Sequence, residues 1–223
     1  MIAALLAGAA LAAAVPPSTP VEQAPYHRLM VANADYAILD VHFPPGGRSG
    51  FHLHPRQLFY TVTTPAEIDV QMQGEAARRV APTAVGAVGM NELGTSPFIH
   101  AVSNGDEGSY HVIGIELRRP IPIGAPITVR PAETRFVQVH DHPRLRAWRL
   151  ILQPGESAPP LRVVGTGVRV FVRGGSLTIA RPDMPAQPQI VSAGDFEPLA
   201  AGEIRALTNS GDTLIELVDV ELK

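Results

Sequence analysis

The stretch Pro44-Pro45-Gly46-Gly47-Arg48-Ser49-Gly50-Phe51-His52-Leu53-His54-Pro55-Arg56-Gln57-Leu58-Phe59-Tyr60 decides how this chain is read. A Pro-Pro-Gly-Gly turn leads into His-x-His and then into an aromatic-aliphatic run. Side chains on a strand alternate with period two, so His52 and His54 are expected on one face. Two neutral imidazoles placed in that way can chelate one divalent ion, given a third ligand from elsewhere. His100, in Phe98-Ile99-His100-Ala101-Val102-Ser103-Asn104, is the candidate for the third. All eight histidines lie before residue 143.

Composition sets the surroundings of that motif. The chain has 223 residues, 45% of them hydrophobic and 17% charged, enough to bury one large core or two small ones. A formal net charge of −3 lacks the concentrated basic surface of a nucleic-acid binder, so no nucleic-acid partner is expected. Gly 20 and Pro 22 indicate many turns between short strands. With no cysteine there is neither a disulfide nor a lipoprotein anchor.

Ile2 to Val15 is an unbroken apolar run followed by Pro16-Pro17-Ser18-Thr19-Pro20. It is shorter than the roughly 20 residues that span a bilayer, so no stable membrane span is expected. It fits the apolar region of a secretory signal, with Ala12-Ala13-Ala14 as a small-residue cleavage site, although no Lys or Arg precedes it. Residues 1–25 are therefore read as signal peptide and extended leader, and a periplasmic or secreted location is expected.

Strand patterns follow. Ala37–Phe43, Leu58–Val62, Glu67–Met72, Ile99–Val102 and Tyr110–Leu117 are β-rich runs bounded by turn residues, and no long amphipathic helix interrupts them. The chain also repeats itself. Ile99-His100-Ala101-Val102-Ser103-Asn104 returns 105 residues on as Ile204-Arg205-Ala206-Leu207-Thr208-Asn209, and Glu116-Leu117 returns as Glu221-Leu222. Phe43-Pro44-Pro45-Gly46 corresponds to Leu152-Gln153-Pro154-Gly155, and Phe59-Tyr60-Thr61-Val62 roughly to Val170-Phe171-Val172-Arg173. These patterns predict an all-β chain of two similar units, residues 26–120 and 144–223, joined by a Pro-rich linker over 121–143.

The blocks PGGRSGFHLHPRQLFYTV and GAVGMNELGTSPFIHAVSNGD resemble the paired motifs of the cupin superfamily. The resemblance covers about residues 36 to 222 and implies a bicupin, two tandem jelly-roll barrels of the double-stranded β-helix type. It also implies a metal site of His52, His54 and His100. Gln57 stands where the family places an acidic ligand, and its uncharged amide is read as a fourth, optional ligand. Such a nitrogen-rich set suits Fe, Ni, Co, Cu or Zn better than Mg or Ca. Tyr60, Asn104 and His111 are candidates for support around the site.

The remaining histidines carry weaker signals. His140-Asp141-His142 sits beside Pro143 without a turn-strand frame and reads as a solvated connector; His42 faces either solvent or the barrel; His27 follows the leader and is given no role. In the second unit Leu161 and Val163 fall near the positions of the His-x-His pair, and Arg205 replaces His100. Arg cannot ligate a metal, so the second barrel is expected to lack a metal site and to act as scaffold. Arg205 is expected to pair with Glu203 or Glu156, and Glu116 and Glu221 to serve packing.

Two functional readings follow. One is an exported metal-dependent enzyme, of oxygenase or isomerase type, acting on a small oxygenated or anionic molecule. The other is a non-catalytic periplasmic cupin that binds a small molecule or is structural. Neither reading excludes a homodimer. No nucleophile elbow or phosphate loop points to other chemistry.

Overall fold

The computed structural model describes residues 17–91, 97–105, 107–119, 130–182 and 184–223. The apolar run Ile2 to Val15 and most of the first half of the expected linker lie outside these. In the first half the strands are β1 Thr19–Pro20, β2 His27–Ala32, β3 Tyr36–Phe43, β4 His52–His54, β5 Leu58–Thr64, β6 Ile68–Met72, β7 Arg78–Val80, β8 Val88–Met90, β9 Phe98–Asn104 and β10 Tyr110–Leu117. In the second they are β11 Val137–His142, β12 Leu145–Leu152, β13 Ser157–Arg162, β14 Gly167–Arg173, β15 Gly175–Arg181, β16 Met184–Val191, β17 Phe196–Leu199, β18 Ile204–Asn209 and β19 Ile215–Leu222.

Each half is a barrel of two facing sheets, and the two halves repeat one topology. Order β2-β3-β10-β5-β8 in the first returns as β11-β12-β19-β14-β17 in the second; β4-β9-β6-β7, with β1 added at the edge, returns as β13-β18-β15-β16. Register confirms the 105-residue offset: His52 lies opposite His100 in β4–β9, and Leu161 lies opposite Arg205 in β13–β18. It corrects one correspondence. Phe59 pairs with Ile115, and Val168 pairs with Val220, so Phe59 matches Val168 and not Val170. The first part of the repeat therefore runs at an offset of 109 (43 to 152, 52 to 161, 59 to 168) throughout.

Alternation sorts the side chains into three cores. Leu39, Val41, Phe43, Val62, Ile68, Val102 and Val112 fill the first barrel. Trp148, Leu150, Leu152, Phe171, Leu177, Ile179 and Leu217 fill the second. The opposite faces of the two large sheets pack on each other, with Ile38, Phe59, Ile113, Ile115 and Leu117 of the first half against Ala147, Val168, Val170, Val218 and Val220 of the second. Both faces of β10 and β19 are therefore largely buried, and their acidic residues Glu116, Glu216, Asp219 and Glu221 each have a histidine or arginine partner.

The expected linker ends early. Val137–His142 is a strand paired with β12, and the buried Arg130 belongs to the interior of the second barrel. His140 packs its ring on Phe59 at 5.6 Å, so this His-x-His lies at the seam and not in a solvated connector. At the far edge of the second barrel, among the described residues β16 pairs with β15 alone, and it carries Pro185 and Pro188 beside an exposed Ile190.

Candidate metal centre

The turn before β4 is built as its residues require: Gly46 and Gly50 adopt positive φ, which glycine tolerates, and the chain enters β4 with His52 and His54 both inward. His52 is fully buried and His54 nearly so. His100 faces them from β9, its ring centre 4.5 Å from that of His52 and 5.1 Å from that of His54. The expected trio therefore converges. Phe98 stacks on His54 at 4.6 Å and meets His100 edge-on at 5.0 Å, walling the cluster on one side.

A fourth imidazole joins it. His27, at the start of β2, places its ring 4.4 Å from His52, and one ligand atom each from His27, His52 and His54 lie within 4.8 Å of one another. This residue carried no signal in the sequence, because it stands alone at the end of the leader, far from either motif.

The hydrogen bonds fix which nitrogen each ring presents. His27 Nδ1 donates to the Pro25 carbonyl at 2.9 Å, His52 Nδ1 to the Gly50 carbonyl at 3.1 Å, and His54 Nδ1 to the Glu116 carboxylate at 3.3 Å. Carbonyl and carboxylate oxygens can only accept here, so Nδ1 carries the proton and Nε2 keeps its lone pair. Orientation of a ligating imidazole by an oxygen on its other nitrogen is the usual arrangement around a metal. Glu116, read as a packing residue, has this supporting position instead. The Nε2 atoms of His52 and His100 are buried without a hydrogen-bond partner, which costs free energy unless something binds there.

Burial pushes the imidazoles of His27, His52 and His100 down to about 4, 3 and 2. In His52 and His100 the neighbouring histidines add to the effect. These three rings are thus neutral at physiological pH, the form that coordinates metal. The donor set therefore fits a divalent transition ion.

Three sequence expectations need correction. The Gln57 amide oxygen accepts from Arg144 at 3.0 Å, so the second barrel's arginine occupies the oxygen that was to ligate. Arg144 also reaches the carbonyls of Leu117 and Arg119, which holds it over that loop. Asn104 donates to the carbonyls of Pro44 and Gly108, tying turns together, as its repeat Asn209 does with Leu152 and Thr213. His111 lies on the outer face of β10, where its Nε2 meets Asp40 at 2.7 Å. Tyr60 faces the interior, with its hydroxyl lying over Gly89, whose missing Cβ makes the room.

The second barrel holds no such cluster among the described residues. Arg205 is buried and pairs with Glu197 and Glu203, each at 2.6 Å; Leu161 and Val163 are apolar. Arg130 and Arg169 engage Asp219, and Arg130 also engages Glu221, the repeat of Glu116. An ion network fills the space that histidines occupy in the first barrel.

This architecture is the cupin fold, in its two-barrel bicupin form. No family model and no curated protein matches the sequence, whereas solved structures match over nearly the whole chain. AerE from Microcystis aeruginosa superimposes with a TM-score of 0.66 at 14% identity, covering 94% of this chain and 98% of that one. Salicylate 1,2-dioxygenase from Pseudoaminobacter salicylatoxidans, in complex with gentisate, gives 0.58 at 12% identity, covering 91% and 76%. Oxalate decarboxylase from Lactobacillus farciminis, in a formate complex, gives 0.57 at 12% identity, covering 95% and 87%.

Proposed function

We propose that the first barrel is a transition-metal centre at which a small oxygenated or anionic molecule is bound and converted, in chemistry of oxygenase or isomerase type. The observation that carries this is the convergence of His27, His52, His54 and His100, three of them anchored through Nδ1 with Nε2 left free. Two enzymes among the similar structures, one in complex with gentisate and the other with formate, support the reading of a small oxygenated substrate. A divalent ion held by these rings would serve as a Lewis acid that polarises a substrate oxygen. Because the histidine ligands are neutral, they cancel none of the ion's charge, which favours an anionic ligand. His27, His52 and His54 hold their rings in place through the oxygens on Nδ1, and Phe98 with the apolar interior excludes water from one side. Export to the periplasm or beyond belongs to the same proposal and rests on the apolar run Ile2 to Val15.

A binding-only role has one observation in its favour. Among the described residues, the carboxylate in contact with the cluster is Glu116, and it is already engaged by His54, so no free carboxylate base stands there. Metal analysis of the purified protein, followed by turnover assays with small carboxylates, phenols and diketones, separates the readings. In the protein as purified, before any metal is added, one tightly held equivalent of transition metal that His52→Ala/His100→Ala removes, with turnover, is expected. Metal without turnover on any of these supports the binder. Failure to hold Fe, Ni, Co, Cu or Zn overturns the metal-centre reading and leaves the non-catalytic cupin in its place.

A further inference from the structure

A second set of metal-binding groups lies outside the first barrel, on the sheet face turned toward the second. In the antiparallel pair β3–β10, His42 stands directly opposite His111. The alternation that sends Leu39, Val41 and Phe43 inward sends Asp40 and His42 outward, beside Tyr36 and Ile38 of the seam. His111 is on the same outward face as Ile113 and Ile115. The two imidazole rings are 4.9 Å apart at their centres and tilted by 32°. Directly opposed strand positions place Cβ atoms about 4.5–5.5 Å apart, within chelating reach of two imidazoles.

Three further observations make this pair more than a surface coincidence. His111 Nε2 meets an Asp40 oxygen at 2.7 Å, so Nε2 carries the proton and Nδ1 is the nitrogen left to coordinate. A carboxylate behind the imidazole is the arrangement that orients a metal-bound histidine and raises its basicity. The pairing of β10 with β5 slips between His111 and Val112, a bulge of the sort that re-aims a side chain, and Thr63 Oγ1 fastens the His111 carbonyl there at 3.1 Å. Finally, the ring of His111 lies against Gly194 of the second barrel, where any Cβ would overlap it. Asp40 and Gly194 also line the open cleft of about 520 Å³ between the barrels. His42 itself is exposed, so an ion can reach the pair from solvent.

We propose that His42 and His111, with Asp40 as the orienting group, form a second transition-metal site at the seam between the two barrels, independent of the four-histidine cluster. Two nitrogen ligands leave the remaining positions to water, so the site is an open one, with affinity below that of the inner cluster. Because an ion bound here is held only by folded protein, its binding stabilises the native state.

Equilibrium dialysis of the full chain against Zn2+, read with the thermal midpoint, tests this. Two equivalents are expected for the unsubstituted protein, one for His42→Gln, and one for His52→Ala/His100→Ala. The residual ion in the latter variant should raise the midpoint, and adding His42→Gln should abolish both binding and shift. Asp40→Asn should weaken the residual site about 10- to 100-fold. His42 is exposed, so its substitution leaves the core untouched, and unchanged circular dichroism checks this. Retention of the full Zn2+ stoichiometry in His42→Gln overturns the proposal. If the inner cluster alone fails, the unsubstituted protein binds one ion that His42→Gln removes and His52→Ala/His100→Ala does not.

Discussion

The contribution of single residues separates what motif spacing can reveal from what only the folded chain brings together. His52 and His54 were legible because alternation puts positions two apart on one face, and His100 because it stands in the second of the two paired motifs. His27 was not, since nothing local distinguishes an isolated histidine that tertiary packing carries to the site. Gln57 was misread for the same reason: its partner Arg144 is 87 positions along the chain. The structure thus exchanges one expected ligand for another. His27→Ala should lower transition-metal affinity at least tenfold, whereas Gln57→Ala should leave it within about twofold, measured by competition with a chromophoric chelator. Equal losses in both would return Gln57 to the ligand set. Acid should also act through these rings. His27, His52 and His100 titrate in the folded protein near 4, 3 and 2, but near 6.5 once unfolded. Below pH 6.5 the unfolded chain binds more protons, so the stability these residues contribute is complete above 6.5 and declines as the pH falls toward 4 and below. The thermal midpoint of the metal-free protein should fall between pH 7 and 4.5, and less steeply in His27→Ala; a flat profile would contradict the neutral cluster.

At the level of strands and turns, periodicity was informative and exact alignment was not. The two barrels share their strand order, as the 105-residue spacing anticipated; that Asn104 and Asn209 tie equivalent turns emerges only from their hydrogen bonds. The Phe59 correspondence went astray because aromatic-aliphatic strands look alike when slipped by two residues, a shift that preserves which face each side chain takes. Pairing register alone resolves it. That register also aligns Leu58 of the first barrel with Gly167 of the second, opposite Glu116 and Glu221 respectively. Gly167 approaches Val220 so closely that a Cβ would overlap its carbonyl. Gly167→Ala should therefore force β14 and β19 apart and cost about 1–3 kcal/mol or more, seen as a lower urea midpoint. An unchanged midpoint would show that the strands can separate freely. The strand β11 was hidden in the sequence by the prolines that flank it, Pro131 and Pro143, which make the span resemble a linker until its partner strand is known.

Taken as a whole, the molecule has divided its labour between two copies of one architecture. One barrel keeps imidazoles and orphaned nitrogens; the other has filled the corresponding space with arginines and carboxylates. Composition revealed the loss of histidines but not this replacement, since charged residues on strands are ordinarily solvated. Arg130 is decisive in that network, buried between Asp219 and Glu221 and stacked on Phe136 at 4.2 Å. Arg130→Met removes the charge while keeping much of the volume, and should destabilise the protein by about 3–5 kcal/mol because two buried carboxylates lose a partner. Chemical denaturation measures this, and a loss under 1 kcal/mol would mean that Arg169 suffices alone. Strand β16 has a different significance for the assembled molecule. It ends its sheet, and an unprotected end with Ile190 exposed invites another chain to add a strand and continue the sheet without limit. Pro185 and Pro188 have no N–H to offer an incoming neighbour, so at those positions the edge cannot complete the hydrogen-bond ladder that such growth requires. The protein can leave an apolar side chain at this border in water and still resist fibrous self-association.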